Sequence, residues 1–348
     1  MKKILMIGPG RDVRGGISTV VNSYYELGIE KDTEIKYIPT MEDGSQIKKL
    51  LVAVKAYVEF CRCVKKYDIV HVHMAAQASF VRKSLFIQKA KKSGVKVIIH
   101  SHAADFDKYF FEESNDNNRK KIKEIFALAD KVIVLSEEWE DFFGKNVCDP
   151  EKIEIIYNGV IFPETSKNDY ENHNVLMLGR LGERKGTYDL LKAIPKVLKE
   201  VPDALFYLGG DGDIEGCKAI AANEDIQDHV KFLGWIKGME KENLLDKCSV
   251  FTLPSYYEGM PMSVLEAMSY GLATVSTNAG GIPQIINDGV DGFRVEAGNI
   301  EELSKCFIYL LKNPDLKKSI GEKAVETIKN KFDVRVSYQK LLQIYQEV

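Results

Sequence analysis

SVFTLPSYYEGMPMSVLEAMSYGLATVST, residues 249–277, contains two short apolar runs with a helical pattern between them. Pro261 suits the first helical position, where a missing N–H costs nothing, and Gly271 is a natural stop. A strand, a helix and a second strand in so short a stretch indicate a parallel βαβ unit. The stretch therefore predicts a parallel sheet, with a loop at its carboxyl edge that leads into the helix.

Two glutamates flank this predicted helix start. Glu258 lies just before the helix, and Glu266 lies inside it, less than two turns from its beginning. The free N–H groups of a helix start favour an anion. An acid beside an anion site suggests a ligand that carries both phosphates and hydroxyls.

The same alternation of apolar runs and amphipathic helices fills the chain, which indicates parallel sheets covered by helices on both faces. The predicted strands are KKILMIG, EIKYIP, DIVHVH, VKVIIHS, KVIVLS, IEIIYNG, NVLMLG, ALFYLGG, VKFLG, SVFTLP, ATVST and DGFRV. The predicted helices begin near Ile17, Ile47, Gln77, Asn117, Glu138, Gly186, Ile214, Lys241, Pro261 and Ile300. The fold class is therefore α/β, with two doubly wound, Rossmann-like domains that face a central cleft.

The pattern stops and restarts once, which predicts two domains. We expect an N-terminal domain at residues 1–162 and a C-terminal domain at 163–333, with the polar segment 162–174 as the linker. The last helix, within 334–348, is expected to return to the first domain. Ligands of open α/β sheets bind outside the carboxyl ends of the strands, so two such sheets would enclose a ligand between them.

Composition is that of a globular protein with sizeable cores. The 348 residues are 45% hydrophobic and 28% charged, and the formal charge of −3 gives no hint of nucleic acid. MKKILMIG reads as a first strand rather than a signal peptide, and no apolar run is long enough for a membrane span. Six cysteines without a C-x-x-C motif favour a reduced, cytoplasmic protein.

Positive charge is concentrated in one region. Residues 48–123 contain 17 Lys and Arg against 7 Asp and Glu, a local excess of +10. Two interpretations stay open. The cations lie on solvated helix faces, or the region makes peripheral contact with an anionic membrane.

Two loops offer groups that suit phosphate. In GPGRDVRGGIS, residues 8–18, Gly15 and Gly16 stand at a helix start after the first strand, as a phosphate or sugar site or as a plain turn. In GRLGERKG, residues 179–186, Arg180 and Lys185 follow the first strand of the second domain. They either clamp a diphosphate or are solvated.

Four of the six histidines form two pairs, HVH at 71–73 and HSH at 100–102. Residues i and i+2 of a strand share a face, so the pairs could bind zinc, but no nearby cysteine completes a ligand set. We interpret His71 and His100 as packed and hydrogen bonded.

Asp211-Gly212-Asp213 and DFD at 105–107 imitate metal-binding D-x-D motifs, but a loop role is favoured for both. No essential metal and no cofactor are expected.

EGMPMSVLE, with seven residues between its glutamates, resembles the E-x7-E signature of glycosyltransferase family 4, whose members are retaining transferases of the GT-B fold. The resemblance spans nearly the whole chain and is stronger in the second domain. The supporting marks follow in the family's order: Gly15-Gly16, the Arg180 and Lys185 loop, LGGDG at 208–212, FLGWI at 232–236, and Glu258 to Glu266. YNGV, residues 157–160, stands where such chains commonly leave the first domain.

This resemblance implies a role for each matching residue. Glu266 would hold the ribose hydroxyls of a nucleotide, and Glu258 would face the hydroxyls of the donor sugar. The remaining implied roles are diphosphate neutralisation by Arg180 and Lys185, sugar or phosphate contacts through the backbone of Gly259 and Met260, base contacts at Trp235 and Ile236, a hydrogen bond from His102 to the reacting sugar, and an acceptor-side role for Asp105.

The implied function is transfer of a sugar from a nucleotide diphosphate-sugar, expected to be a UDP-sugar, to a hydroxyl acceptor with retention. The basic region fits a lipid-linked acceptor and a location on the inner face of the cell membrane. The resemblance implies a role in bacterial surface polysaccharide or glycolipid synthesis. Two alternatives remain: a nucleotide-sugar epimerase of the same fold, and a catalytically silent nucleotide-sugar-binding subunit.

Overall fold

The computed structural model describes residues 1–163, 166 and 168–348. The chain divides into an N-terminal unit, Met1–Gly159 with Val334–Val348, and a C-terminal unit, Val160–Asp333. The sequence placed this division between residues 162 and 163. The predicted linker, 162–174, lies partly outside the described residues. In its described part, the Ser166 hydroxyl donates a hydrogen bond to the Tyr270 carbonyl (2.7 Å), so this part packs on the C-terminal unit.

The N-terminal unit is a parallel sheet of six strands with helices between them. Its strands are β1 Lys3–Gly8, β2 Glu34–Pro39, β3 Ile69–Met74, β4 Lys96–Ser101, β5 Lys131–Val134 and β6 Ile153–Ile155. Its helices before residue 159 are α1 Gly16–Glu26, α2 Ile29–Asp32, α3 Gln46–Cys63, α4 Gln77–Lys92, α5 Phe106–Phe111, α6 Asp116–Ala127 and α7 Glu137–Asn146.

The C-terminal unit repeats this plan with a second six-stranded parallel sheet. Its strands are β7 Asn174–Leu178, β8 Leu205–Gly209, β9 Val230–Gly234, β10 Val250–Leu253, β11 Ala273–Thr277 and β12 Phe293–Val295. Its helices are α8 Thr187–Glu200, α9 Ile214–Asn223, α10 Met239–Lys247, α11 Met262–Ser269, α12 Ile282–Ile285, α13 Ile300–Leu311 and α14 Pro314–Lys331.

Both strand orders contain one reversal. The N-terminal order is β2-β1-β3-β4-β5-β6, and the C-terminal order is β12-β11-β10-β7-β8-β9. Successive strands are therefore added first on one side of the sheet and then on the other. The direction changes between β1 and β3 in the N-terminal sheet and between β7 and β10 in the C-terminal sheet. A crevice for ligands opens at such a reversal, outside the carboxyl ends of the two strands.

The two faces of the N-terminal sheet differ in chemistry. One face carries an apolar core in which side chains of β1, β3 and β4 pack against α3, α4, α6 and α7. The other face carries histidines, and the last helix of the chain, α15 Val334–Glu347, covers them. This helix belongs to the N-terminal unit, as the sequence predicted. Its Tyr338 hydroxyl donates a hydrogen bond to Asp32 (2.6 Å).

All twelve predicted strands form. The inner strands are short apolar runs that are buried on both faces, whereas the edge strands β2, β6, β9 and β12 are only partly buried. The sequence was wrong by one residue at Pro261, which precedes α11 in an extended conformation instead of opening the helix. Short helices α2, α5 and α12 were not predicted, because four to six residues carry too little periodicity. Within the described residues, no helix is both long and apolar enough to cross a bilayer.

Candidate active site

A group of polar side chains is held together at the carboxyl edge of the C-terminal sheet, at the reversal between β7 and β10. The loop after β7 contains Lys185 in a 3-10 turn, Glu183–Lys185. The loop after β10 contains Glu258, just before α11. Strands β7 and β10 are hydrogen-bonded neighbours, so the topology brings together two loops that are far apart in sequence.

Lys185 and Glu258 form a nearly buried ion pair at this reversal. The Lys185 ammonium contacts Oε1 of Glu258, and the side chains are 14% and 6% exposed. The Ser255 hydroxyl donates a second hydrogen bond to the same carboxylate oxygen (2.7 Å). An ion pair withdrawn from water is held rigidly, so both charges keep a fixed position for a ligand.

Two glycines allow the loops to approach this closely. A Cβ at Gly186, where φ is +65°, would lie 1.9 Å from the Pro254 carbonyl oxygen. A Cβ at Gly280, where φ is +52°, would lie 1.7 Å from the carbonyl oxygen of Glu258. Both positions exclude any side chain, because the backbones of neighbouring loops are already in contact.

The start of α11 faces this edge without a side-chain cap. The preceding loop is fixed by a hydrogen bond from Gly281 N–H to the Gly259 carbonyl (2.8 Å), and the Met260 side chain is buried. The first N–H groups of a helix need partners from outside it. An anion would satisfy them and would also be favoured by the helix dipole.

Glu266, one of the predicted donor-binding acids, lies farther along α11. Its Oε1 accepts a hydrogen bond from the Lys241 ammonium of α10 (2.8 Å), and both side chains are partly exposed. Lys241 is a residue that the sequence analysis did not assign to the site. Its position near the start of α10 gave no signal for this contact.

The other predicted donor-binding residues lie at the same sheet edge in different environments. Arg180 follows β7, is exposed, and makes no ion pair among the described residues. Trp235 follows β9 and is 40% exposed, whereas the side chain of Ile236 is buried. A Cβ at Gly209 would meet Ile236, so this isoleucine packs inside the unit and could contact a base only through its backbone.

Asp213, part of the D-x-D imitation, has a structural role. It caps α9 by accepting the Gly216 N–H (3.0 Å), and it also accepts the Tyr188 hydroxyl (2.6 Å). These two hydrogen bonds hold the pKa of Asp213 below its usual value. The loop role that the sequence favoured for this residue is confirmed.

In the N-terminal unit, Gly15 and Gly16 lie at the start of α1, directly after the β1 loop. Gly15 has a φ of +139°, and nothing lies within 4 Å of where its Cβ would be. No side chain caps α1. The helix start is therefore uncapped and open, as a phosphate or sugar contact would require.

The four paired histidines form one cluster on the covered face of this sheet. His71, His73 and His100 are fully buried, and one ring nitrogen of each lies within 4.8 Å of the others. Nδ1 of His73 shares a hydrogen bond with Nε2 of His102 (2.9 Å), and Nδ1 of His71 shares one with the Tyr345 hydroxyl (2.6 Å). His102 thus stands at the carboxyl end of β4, where the cluster meets the edge of the sheet.

The prediction that His71 and His100 are packed and hydrogen bonded is only half right. Both are buried, but neither ring nitrogen of His100, nor Nε2 of His71, has a hydrogen-bond partner among the described residues. Burial lowers the pKa of His71 and His102 to about 3 and that of His73 and His100 well below its usual value. The rings are therefore neutral at pH 7, and His102 can exchange a hydrogen bond without carrying charge.

Lys83 of α4 was also missed. It is 1% exposed, and its ammonium nitrogen has no hydrogen-bond partner in the described part of the chain. Burial holds the pKa of Lys83 well below its usual value, and its charge would lower the pKa of His102. The sequence held a signal, because Phe80 and Ile87 place position 83 on the buried face of the helix.

Asp105, the acceptor-side candidate, lies in the loop between β4 and α5, directly before the first residue of α5.

Two family models match the chain, one for each unit. "Glycosyltransferase Family 4" matches residues 29–161, and "Glycosyl transferases group 1" matches residues 161–327. Among curated relatives, a UDP-Gal:alpha-D-GlcNAc-diphosphoundecaprenol alpha-1,3-galactosyltransferase of Escherichia coli is 27% identical over 300 residues, covering 78% of this chain and 73% of the relative. The amylovoran biosynthesis glycosyltransferase AmsK of Erwinia amylovora is 26% identical over 318 residues, covering 88% and 76%.

Solved structures share the fold at low sequence identity. HepE of Anabaena, solved in complex with UDP-glucose, superposes over the full length of both chains with a TM-score of 0.83 at 18% identity. The two family models meet at the division between the units and together extend from residue 29 to residue 327. The chain therefore belongs to glycosyltransferase family 4, and it is a glycosyltransferase with the two Rossmann-like units of the GT-B fold.

Proposed function

We propose that this glycosyltransferase moves a sugar from a UDP-sugar to a hydroxyl acceptor, with retention at the anomeric carbon. The observation that carries the proposal is the Lys185–Glu258 pair at the reversal between β7 and β10, beside an uncapped helix start. This arrangement supplies a cation and backbone N–H groups for a diphosphate, next to a carboxylate for sugar hydroxyls.

UDP is the proposed nucleotide on the strength of the relatives. The Escherichia coli relative is named for UDP-Gal, and HepE of Anabaena was solved with UDP-glucose. Here Glu266 would accept the ribose hydroxyls, and Trp235 would lie against the uracil. Lys241, which now neutralises Glu266, would remain beside it as the ribose binds.

Bond breaking between the sugar and the diphosphate leaves negative charge on the β-phosphate. Lys185, Arg180 and the N–H groups of the α11 start would stabilise that charge as it develops. Preorganised donors of this kind act most strongly where water is excluded. Glu258 would hold the donor sugar through its hydroxyls, with its carboxylate oriented by Ser255 and Lys185.

We assign the acceptor to the N-terminal unit. His102 would hydrogen bond the reacting sugar as a neutral imidazole, Asp105 would lie on the acceptor side, and Gly15 with Gly16 would contact phosphate or sugar. A lipid-linked oligosaccharide is the proposed acceptor class, since the Escherichia coli relative is named for a diphosphoundecaprenol acceptor. Bacterial surface polysaccharide or glycolipid synthesis is the proposed setting. We also propose that transfer requires no metal.

A thermal-shift screen of nucleotide sugars, followed by NMR of the product, tests this proposal. We expect a UDP-sugar to raise the melting temperature more than GDP- or ADP-sugars, and the product's anomeric proton to show the configuration of the donor. Activity should survive dialysis against EDTA. An inverted product would remove the assignment of retention.

Two alternatives predict different outcomes of the same experiment. An epimerase would convert the donor into an isomer without any acceptor and without releasing UDP. A silent binding subunit would bind UDP tightly and turn over no donor with any acceptor. The joint presence of Arg180, Lys185, Glu258 and Glu266, the residues that match the family's pattern, favours an active enzyme.

A further inference from the structure

The outer face of α3 is apolar, which is unusual for a surface helix. Its five large apolar residues with exposed side chains are between 43% and 74% exposed: Ile47, Leu50, Leu51, Val54 and Val58. At 3.6 residues per turn these five positions fall within an arc of about 100° on one side of the helix. A surface helix normally turns such a stripe toward the core. We call this set the α3 stripe.

The buried side of α3 is small and lies opposite the stripe. Ala56 and Phe60 are its only buried residues, and the first ten residues, 46–55, include none. The helix is thus attached to the N-terminal unit mainly through its second half. The stripe cannot be explained as part of the core, because the core contact already uses the opposite face.

Cations line one edge of the α3 stripe. Lys48, Lys55 and Arg62 are spaced seven residues apart, so they form a row along the helix, and all three are exposed. They belong to the region 48–123 that carries the +10 excess. An exposed apolar stripe bordered by cations matches the boundary between acyl chains and anionic headgroups of a bilayer.

The neighbouring helix extends the same character. Val81 and Leu85 lie four residues apart on α4, which packs beside α3, and they are 55% and 54% exposed. The last turn of α4 is basic. A second copy of this chain fits the surface less well, because a twofold contact would bring two basic regions together. Charge complementarity favours an anionic lipid surface.

We propose that the α3 stripe, with Val81 and Leu85, docks the N-terminal unit on an anionic lipid bilayer. The apolar side chains enter the interface between headgroups and acyl chains, and the cation row rests on the headgroups. The helix lies in the plane of the membrane and does not cross it. This inference goes beyond the proposed transfer reaction, because docking requires neither donor nor acceptor. It would bring the enzyme to the surface that holds a lipid-linked acceptor.

Flotation with vesicles tests the proposal, with neither donor nor acceptor present. The full chain should float with phosphatidylcholine vesicles that contain roughly 30% phosphatidylglycerol, and weakly with phosphatidylcholine alone. About 1 M NaCl, where the Debye length is about 3 Å, should strongly reduce flotation. Replacing Lys55 and Arg62 by alanine should lower partitioning about 25-fold, since each cation near the surface contributes roughly fivefold.

A matched pair of double variants separates the α3 stripe from general hydrophobicity. Leu50→Ser with Val54→Ser should lower partitioning at least about tenfold, because two inserted side chains are lost. Val290→Ser with Val336→Ser removes two comparably exposed valines elsewhere and should leave flotation unchanged. Melting temperatures should match the unmodified chain in both cases, since all four side chains are exposed.

Three outcomes would overturn the proposal. The first is that the unmodified chain fails to float with anionic vesicles at low salt. The second is that the Leu50→Ser, Val54→Ser variant floats as well as the unmodified chain. The third is a dimer, seen by sedimentation, that this variant dissociates. Failure of the transfer reaction would be seen separately, because transfer to a water-soluble acceptor should not change in the stripe variant.

Discussion

The two units differ at their most deeply buried basic groups. In the C-terminal unit, the nearly buried Lys185 pairs with Glu258, and the buried Lys317 donates hydrogen bonds to the Asn172 carbonyl (2.6 Å) and the Ser249 hydroxyl (3.2 Å). In the N-terminal unit, burial instead lowers the pKa of Lys83 and of the four histidines, and neither Lys83 nor His100 has a hydrogen-bond partner among the described residues. The C-terminal unit thus offers a partnered cation to a charged ligand, and the N-terminal unit offers neutral imidazoles to hydroxyl groups.

This difference between the units fits the proposed binding of the donor by the C-terminal unit and of the acceptor by the N-terminal unit. A nucleotide diphosphate needs fixed positive charge, which paired cations supply without long rearrangement. An acceptor hydroxyl and sugar hydroxyls need hydrogen-bond partners without net charge, which a neutral imidazole such as His102 provides. Each of the following experiments changes a residue of one unit and tests whether that unit behaves as this difference predicts.

The largest effect is expected from Lys185→Ala. Removing one preorganised donor at a developing charge costs on the order of 10² to 10³ in kcat, or roughly 3–4 kcal/mol. Steady-state kinetics with a UDP-sugar would show the loss, and circular dichroism would show that the fold remains. Lys196→Ala, which removes an exposed lysine paired with Glu301 on the same unit, is the control and should leave kcat unchanged. Unchanged turnover in Lys185→Ala would remove this residue from the site.

The two buried lysines should respond oppositely to methionine. Lys83→Met removes a group without a hydrogen-bond partner and should raise the free energy of unfolding by about 1–3 kcal/mol. Lys317→Met leaves the Asn172 carbonyl and the Ser249 hydroxyl without this donor and should lower it by about 1–3 kcal/mol.

Urea unfolding can follow each unit separately, because the two tryptophans, Trp139 and Trp235, lie in different units. Trp235→Phe leaves Trp139 to report on the N-terminal unit, and Trp139→Phe leaves Trp235 to report on the C-terminal unit. Shifts of the same sign for both lysine substitutions would contradict the contrast.

Acid should destabilise the N-terminal unit selectively. The pKa of a buried histidine is lower in the folded chain than in the unfolded chain, so the unfolded chain binds more protons as pH falls below about 6.5. The stability that the neutral histidines contribute is therefore fully present above that pH and is lost as the pH falls below it. His71, whose pKa burial lowers to about 3, should cost about 2 kcal/mol at pH 5 relative to pH 7.5, and His73 and His100 should add losses of the same sign.

His100→Phe should reduce this acid loss and change stability little at pH 7.5, since neither nitrogen of His100 has a hydrogen-bond partner to lose among the described residues. Unfolding followed by Trp139 fluorescence at both pH values measures it. His229→Gln, in the C-terminal unit, should leave the Trp139 transition unchanged. Equal acid loss in His100→Phe and the unmodified chain would show that this histidine is already hydrogen bonded or charged.

A smaller effect is expected at the proposed ribose site. Glu266→Ala should raise the KM for the donor about tenfold or more, through loss of hydrogen bonds to a charged group, while kcat changes less. Initial rates over a range of donor concentrations separate the two constants. A fall in kcat with an unchanged KM would mean that Glu266 acts in the reaction rather than in binding.

The strands and their order of appearance were predictable, because each is a short run rich in apolar and β-branched residues that alternates with longer amphipathic helices. The pairing of Lys185 with Glu258 was not predictable from local pattern. It depends on β7 and β10 being neighbours, which only the assembled sheet decides. Resemblance to a family placed both residues in one site, but it did not reveal their direct contact or the role of Ser255.

Burial was the least predictable property. The pattern of α3 predicted an amphipathic helix but not that its apolar side faces outward. Similarly, Lys83 stood in a basic stretch that read as solvated, although its neighbours Phe80 and Ile87 are core residues. Charge content misled at Lys83 because the periodicity of the surrounding apolar residues, rather than residue type, decides which side of a helix is buried.

A crystal structure of the chain with UDP tests the central claim most directly. We expect the β-phosphate about 2.7–2.9 Å from the Lys185 ammonium, within reach of Arg180 and the first N–H groups of α11, with the ribose on Glu266. UDP bound elsewhere, with the Lys185–Glu258 pair out of reach of either phosphate, would contradict the account.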